Sequence, residues 1–300
     1  MNLKKTIIDK AKHIGLEITG SAILSEPKSS DIFHKWLDKG YCAGMSYLRR
    51  GEEPRNNPEL ILAGAKSVIV SALKYPVNTN PSSGFSTYAR GMDYHIVMKN
   101  KLFLLADFIR KILPSAKTRV CVDSAPVFER EWAVRAGIGW IGKQGQIINP
   151  LLGACFFLGE IFLDIELEPS EPLKNMCGDC RLCVEACPAR AIMKNSTVNA
   201  NLCVSYLTVE HDGNIPEKQH TVMESILYGC DRCTAVCPWN RKRDTAIPPE
   251  FKEQTMPTAE EILDMTETEF KERFKDSAVL RSGLNRLKRN ASIALANALS

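Results

Sequence analysis

The sequence predicts an α+β protein in three parts: a larger α/β domain over residues 1–168, a cysteine-rich domain over 169–245 and a short C-terminal helical tail over 246–300. Three observations predict it. Helix-period and strand-like segments alternate up to about residue 168. Residues 169–245 turn rich in Cys, Pro and short turns, with little periodicity. Two helical patterns follow, over 258–275 and 277–299. Alternation of this kind marks a layered α/β architecture.

In chain order, Ile7, Ile8, Ala11 and Ile14 recur at helical spacing. Residues 16–24 read as a strand and 29–39 as a second helix. Residues 67–73 are β-branched and apolar, a buried strand ended by Tyr75-Pro76. Asn, Pro, Ser and Gly make 77–87 a loop. Residues 93–113 form a long amphipathic helix stopped by Pro114. A short strand at 118–122 and a helix at 125–136 follow, with further strands at 146–148 and 155–167. No internal repeat is evident apart from the paired cysteine motifs.

The composition is that of a globular chain. Of 300 residues, 44% are hydrophobic and 25% charged, enough to build a core and to exclude wholesale disorder. A net charge of +4 permits contact with a polyanion without demanding it. The N-terminus lacks an apolar signal segment and a twin arginine. The longest apolar run, around 154–163, is interrupted by Glu160 and too short to span a bilayer. The expectation is a cytoplasmic, monomeric protein that spans no membrane. Eleven cysteines then call for metal rather than disulfides, because cytosolic thiols stay reduced.

Cys177-x2-Cys180-x2-Cys183-x3-Cys187-Pro188 is the bacterial ferredoxin run, in which a short loop presents three thiolates to one [4Fe–4S] cube and the fourth ligates the other. A second, incomplete run follows, Cys230-x2-Cys233-x3-Cys237-Pro238, with Leu227 where its first cysteine would stand. Cys203 is the unassigned cysteine of this domain and completes the count. One cluster then takes Cys177, Cys180, Cys183 and Cys237; the other takes Cys187, Cys203, Cys230 and Cys233. Zinc is the rival, since paired C-x2-C motifs also bind it, but cross-ligated C-P motifs fit cubes better. Cys42, Cys121 and Cys155 stand alone and read as small buried hydrophobes.

Gly137-Ile-Gly139-Trp-Ile-Gly142 matches G-x-G-x-x-G, yet it closes a helix and leads toward a strand. A dinucleotide fingerprint does the reverse. These glycines read as a helix cap and a close-approach loop.

The sequence resembles the epoxyqueuosine reductases of tRNA queuosine maturation. The resemblance is carried by Tyr88-Ala-Arg-Gly-Met-Asp-Tyr-His95, by Val122-Asp-Ser with Glu129-Arg130, and by Arg135-Ala-Gly-Ile-Gly-Trp-Ile-Gly-Lys143. The ferredoxin run, Tyr206-Leu-Thr-Val-Glu210 and Tyr228-Gly-Cys-Asp-Arg-Cys233 complete it. Together they cover most of 45–245. Many members continue with HEAT-like helical repeats that help hold the tRNA, whereas this sequence stops after one Arg-rich helix. Gln144 stands where an asparagine is more familiar.

The resemblance implies a cobalamin on an N-terminal domain similar to flavin nitroreductases. It implies reduction of epoxyqueuosine to queuosine in a tRNA anticodon loop, with the two clusters re-reducing the cobalt. It implies a reduced ferredoxin or flavodoxin as electron donor. Expelling the epoxide oxygen as water takes two electrons and two protons, so a general acid is required. Asp123 is the candidate, with its pKa raised by burial; a helix N-cap is the other reading of Asp123. Arg55, in a loop, matches a cofactor-contacting arginine, or else is a solvated surface residue. Tyr88, Lys143, Gln144 and Ile147 are further cofactor candidates, and Cys230 and Asp231, with the loop 208–213, would bring the second cluster near the cobalt. Tyr94 and His95 read as packing or capping residues.

Arg241-Lys-Arg243 and Arg281, Arg286, Lys288 and Arg289 are basic groups that read either as phosphate contacts or as solvated faces. Two alternatives stand beside the main reading. One is a reductive dehalogenase acting on a small organohalide, which usually carries the twin-arginine signal. The other is a ferredoxin-type electron carrier, which leaves about 170 preceding residues without a role.

Overall fold

The computed structural model describes residues 2–77, 84–243 and 246–299. Most of the loop expected over 77–87 lies outside them. In the first part of the chain the helices are α1 (Leu3–His13), α2 (Ser30–Asp38), α3 (Ser46–Arg50), α4 (Glu52–Asn56), α5 (Tyr94–Ile112) and α6 (Glu129–Arg135). The strands are β1 (Ile18–Ile23), β2 (Ser67–Lys74), β3 (Thr118–Cys121), β4 (Trp140–Ile141), β5 (Ile147–Ile148) and β6 (Phe156–Leu163). The short helices α3 and α4 were not expected.

The expected α/β domain is there, built on a four-stranded sheet of order β1-β2-β6-β3. Every pairing in it is antiparallel. All eight residues of central β2 are buried. Alternation along β2 explains why: Ile69 and Leu73 pack with α1 and α5, while Val68, Val70 and Ala72 pack with α6. The result is a helix–sheet–helix sandwich. β4 and β5 form a separate hairpin. Gly137, at φ 71°, lies just past α6, and a side chain on Gly139 would collide with the Ile148 carbonyl. The glycine motif is thus a helix cap and a tight hairpin approach.

The cysteine-rich part holds four short helices, α7 (Leu182–Glu185), α8 (Val204–Val209), α9 (His220–Met223) and α10 (Arg232–Ala235). The tail holds α11 (Ala259–Asp264), α12 (Glu267–Phe274) and α13 (Leu284–Ala298). The expected helix over 258–275 is two helices, each opened by a Thr–Glu capping box, Thr258–Glu261 and Thr266–Glu269. The tail does not stand apart: one apolar core joins Phe85 and Ala89 of the first part, Leu227 and Tyr228 of the second, and Ile262, Phe270, Leu287 and Ala291 of the tail. Among the described residues no helix is long and apolar enough to cross a membrane.

Candidate active site and cluster loops

The cysteines sort into two sets of four. Cys237 is raised by burial and then by its neighbours Cys177, Cys183 and Cys180; Cys183 is raised by burial, Cys177 and Cys180. Cys233 is pushed well up by burial, then by Cys230, Cys203 and Cys187, with Cys183 weakest. Burial takes Cys230 to about 12, with Cys203 adding to it, and Cys203 itself feels Cys187. These neighbourhoods bring Cys237 beside the 177–183 loop and Cys203 beside Cys230 and Cys233. Among the described residues no three His, Cys, Asp or Glu side chains close on a single metal ion.

Donors already point at this sulfur. Trp140 Nε1–H donates to Cys177 Sγ at 3.4 Å, and the Ala191 N–H to Cys187 Sγ at 3.2 Å. Hydrogen bonds of this kind favour the thiolate form that iron requires. Lys143 Nζ donates to the carbonyls of Gly178 and Cys180 at 2.7 and 2.8 Å, so its ammonium clamps the first cluster loop. Cys121 and Cys155 are buried outside both sets, and Cys42 lies half-buried by the Ala43 carbonyl.

Asp123 follows β3 and adopts φ 50°. It is no helix cap: α6 begins six residues later and Phe128 holds the cap position. The left-handed conformation, tolerable for Asp but strained by about 1 kcal/mol, turns its carboxylate toward α5. Asp123 Oδ2 lies 2.9 Å from His95 Nε2, and His95 Nδ1 lies 2.6 Å from Asp93 Oδ1. Asp93 caps α5 by accepting the His95 N–H at 2.9 Å, so the capping residue also fixes the ring. Tyr94, stacked on Phe157 at 4.3 Å, hydrogen-bonds Asp123 as well. From the tail, Arg281 Nη1 reaches to 2.6 Å of His95 Nε2.

This cluster reverses the expected titration. Burial is the largest influence on Asp123 and raises it, but the His95 hydrogen bond and charge, Tyr94 and Arg281 together outweigh it, and its pKa is lowered. Burial lowers His95, yet hydrogen bonds and charge from Asp123 and Asp93 win, and its pKa is raised. Both shifts favour an imidazolium between two carboxylates, while the donor-only Arg281 guanidinium competes for the same Nε2. About half of the Asp123 side chain remains open to solvent despite its crowded surroundings.

Two more acids lie behind it. Glu129 Oε1 accepts the Asp123 N–H at 2.6 Å, and burial with the Asp123 charge brings its pKa to about 7. Glu160 on β6 is fully buried and neither of its oxygens has a partner. Orphaning buried polar atoms costs on the order of 1–3 kcal/mol, and burial pushes the group well above the usual carboxyl range. Glu210, at the end of α8, is raised by burial and by Asp123 and is lowered by Arg286 and Arg281.

The other expected site residues divide. Arg55 is in α4, not a loop; its guanidinium donates to the Gly51 carbonyl at 2.8 Å, lies 5.6 Å above the Phe33 ring, and feels Tyr47 and Glu129. Tyr88 packs edge-on to Tyr94 with centroids 6.2 Å apart and hydrogen-bonds Tyr228. Gln144 is 3% exposed and its Nε2 has no partner. Ile147 is core. Asp231, beside Cys230, accepts from Ser86 Oγ and from the Thr87 N–H at 2.8 Å, tying the second cluster loop to the turn that carries Tyr88. The basic groups are mostly internal. Arg243 is buried and donates to the Tyr75 and Cys155 carbonyls at 2.6 and 3.2 Å. Arg286 binds the Val209 carbonyl and Asp212, and Arg289 the carbonyls of Leu207, His211 and Gly213. His95, Arg281, Glu129 and Glu210 escaped notice as site residues; the first, third and fourth stood inside motifs that carry the resemblance, and Arg281 had no such signal.

Two sets of four thiols beside an acid–imidazole cluster define the class: a redox protein with paired iron–sulfur clusters. Residues 176–240 match the 4Fe-4S double cluster binding domain, and residues 55–124 match epoxyqueuosine reductase QueG, DUF1730. The chain is 37% identical over 292 residues to an epoxyqueuosine reductase of Leadbetterella byssophila, covering 95% of this chain and 96% of that one. It is 38% identical to the Escherichia coli enzyme, covering 91% of this chain and 74% of that one. It superposes with TM-score 0.90 and 33% identity on a crystal structure of epoxyqueuosine reductase with an epoxyqueuosine-modified tRNA-Tyr stem loop, over 98% of this chain and 81% of that one. The chain belongs to the epoxyqueuosine reductase family.

Proposed function

We propose that this protein reduces the epoxide of epoxyqueuosine in tRNA to the alkene of queuosine, using a cobalamin and two [4Fe–4S] clusters. The single observation that supports it most is the Asp123–His95 pair, a shared proton on an open wall joined to the second cluster loop. The link runs from Cys230 through Asp231, the Thr87–Tyr88 turn and Tyr94 to Asp123. Residues 1–168 would carry the cofactor and substrate chamber, 169–245 the clusters, and 246–300 a brace that contributes Arg281.

The cluster ligands are Cys177, Cys180, Cys183 and Cys237 for one cube and Cys187, Cys203, Cys230 and Cys233 for the other. The orphaned Gln144 Nε2 fits a cofactor that offers an acceptor, as corrin amides do. Arg55 and Tyr88 would join Gln144 with side chains; Lys143, Ile147, Cys230 and Asp231, whose side chains are engaged within the protein, would contribute backbone and shape. When bound, cobalamin supplies a low-valent centre able to accept electrons from the clusters and bond to carbon. Everything else is done by the chain. The His95–Asp123 pair holds a proton on His95 Nε2, hydrogen-bonded to Asp123 Oδ2 and available to a leaving oxygen. Arg281 keeps Asp123 ionised and the pair aligned. Asp231 fixes the turn that carries Tyr88.

tRNA as partner and a ferredoxin or flavodoxin as donor belong to this proposal. Anaerobic iron, sulfide and corrinoid analysis, then turnover of an epoxyqueuosine-bearing anticodon stem loop, test it. Zinc, a single cluster, or absence of turnover with a fully loaded protein would end it.

A further inference from the structure

Glu160 takes no part in the chemistry described above, yet it is the one fully enclosed carboxyl among the described residues with neither oxygen bonded. Its position in the sheet is defined. On β6 it pairs with Val70 of β2 and Cys121 of β3, on the face that α6 covers. Glu129 opens α6 on that same face, and Asp123 follows Cys121 by two residues. Three carboxyls thus step outward from sheet interior to open wall: Glu160 at 0% exposure, Glu129 half-buried, and Asp123 with a side chain 51% exposed. The groups that act on Glu160 are Glu129 and Asp123, and it in turn raises the Cys121 thiol. No cation among the described residues acts on it. A carboxyl so placed keeps its proton.

We propose that Glu160 is a positioning residue that stores a proton: unpartnered and enclosed beneath α6, it holds a proton behind Glu129 and returns it, through Glu129, to the Asp123–His95 pair. The proposal rests on the reaction assigned above. Converting an epoxide to an alkene breaks two C–O bonds, makes the C–C bond double and releases the oxygen as water. The two electrons come through the clusters, and the oxygen leaves with two protons. His95 and Asp123 share one of these; Glu160 holds the other. An apolar residue at 160 would fill the sheet equally well without an orphaned acid.

The test has two readouts. Infrared spectra of the substrate-free protein, one unit above the value of about 7 reached by Glu129, should contain the C=O absorption of a protonated carboxylic acid free of hydrogen bonds. E160Q should remove that band, and E129Q should move it. In turnover, E160Q should lower kcat at least about tenfold and enlarge the solvent deuterium effect while leaving KM and cluster content unchanged. E160M, similar in volume and apolar, provides the same comparison should the Gln variant fold poorly. Absence of the alkaline acid band, or unaltered kcat and isotope effect in both variants, would overturn the proposal. A wild-type band with no turnover of epoxyqueuosine would instead remove the substrate assignment and leave the stored proton standing.

Discussion

His95 Nε2 sits 2.9 Å from Asp123 Oδ2, across 28 residues of sequence, and this contact decides where the site keeps its proton. It turns a carboxyl that burial alone would neutralise into an anion, and an imidazole that burial would neutralise into a cation. Asp123→Asn should therefore abolish the pairing without disturbing the fold, because Asn also tolerates the left-handed backbone at φ 50°. Turnover should fall by at least about 100-fold, with iron content unchanged.

The pH dependence follows from the same pair. His95 has a folded pKa raised above its unfolded value of 6.5. Its contribution to stability is complete below 6.5 and is lost as pH rises through the raised value. Asp93 and Asp123 are lowered below 3.8, so their contribution is present above that value and lost as pH falls through the lowered ones. The pairing is complete between those limits. His95→Gln should remove the alkaline decline of Tm against pH that belongs to this ring, read by thermal unfolding across pH.

Arg281 holds both aspartates down. Removing it should let Asp123 and Asp93 protonate at higher pH. The acid limb of the kcat/KM profile of Arg281→Ala should move upward, and Arg281→Lys should restore part of the shift. Profiles that coincide with the wild type would place Arg281 outside the site's electrostatics.

Cysteine substitutions should separate the two sets. Cys203→Ser should cost one cluster, read as loss of about half the iron and of one cluster's electron paramagnetic resonance signal, while Cys42→Ser should change neither. Lys143→Met should loosen the loop whose Gly178 and Cys180 carbonyls it binds, so that the cluster of Cys177, Cys180, Cys183 and Cys237 is lost first on exposure to air.

Arg286 and Arg289 bind the loop 207–213. Their replacement by Ala should lower Tm and change the salt dependence of stem-loop affinity little, since neither guanidinium is free for phosphate. A fall of about one in the slope of log affinity against log salt for either variant would show a phosphate contact instead.

What sequence revealed here was what is local. The paired cysteine motifs follow from spacings of two and three residues, with Cys203 added only by count, and the long helix α5 from the apolar period that begins at Asp93. Strands β1, β2 and β6 were visible as strand-like runs, β2 the one rich in β-branched residues, but their antiparallel order was not, since intervening helices look alike in either topology. Helices α3 and α4, five residues each, are too short to show a period. The partners of Asp123 were hidden for another reason. His95 and Arg281 are 186 residues apart, and nothing in either neighbourhood signals the other. The pKa of Asp123 was misread on this account: burial could be guessed from one segment, and the charges that overcome it could not.

The reach of Arg281 to His95 has a consequence for how the protein assembles. The guanidinium lies 186 residues along the chain from the ring it meets, so the acid cluster takes its final charge only once the C-terminal helices have packed onto the part that carries α5. Loosening that packing would leave both thiol sets where they are and release the two aspartates from the guanidinium that holds them down.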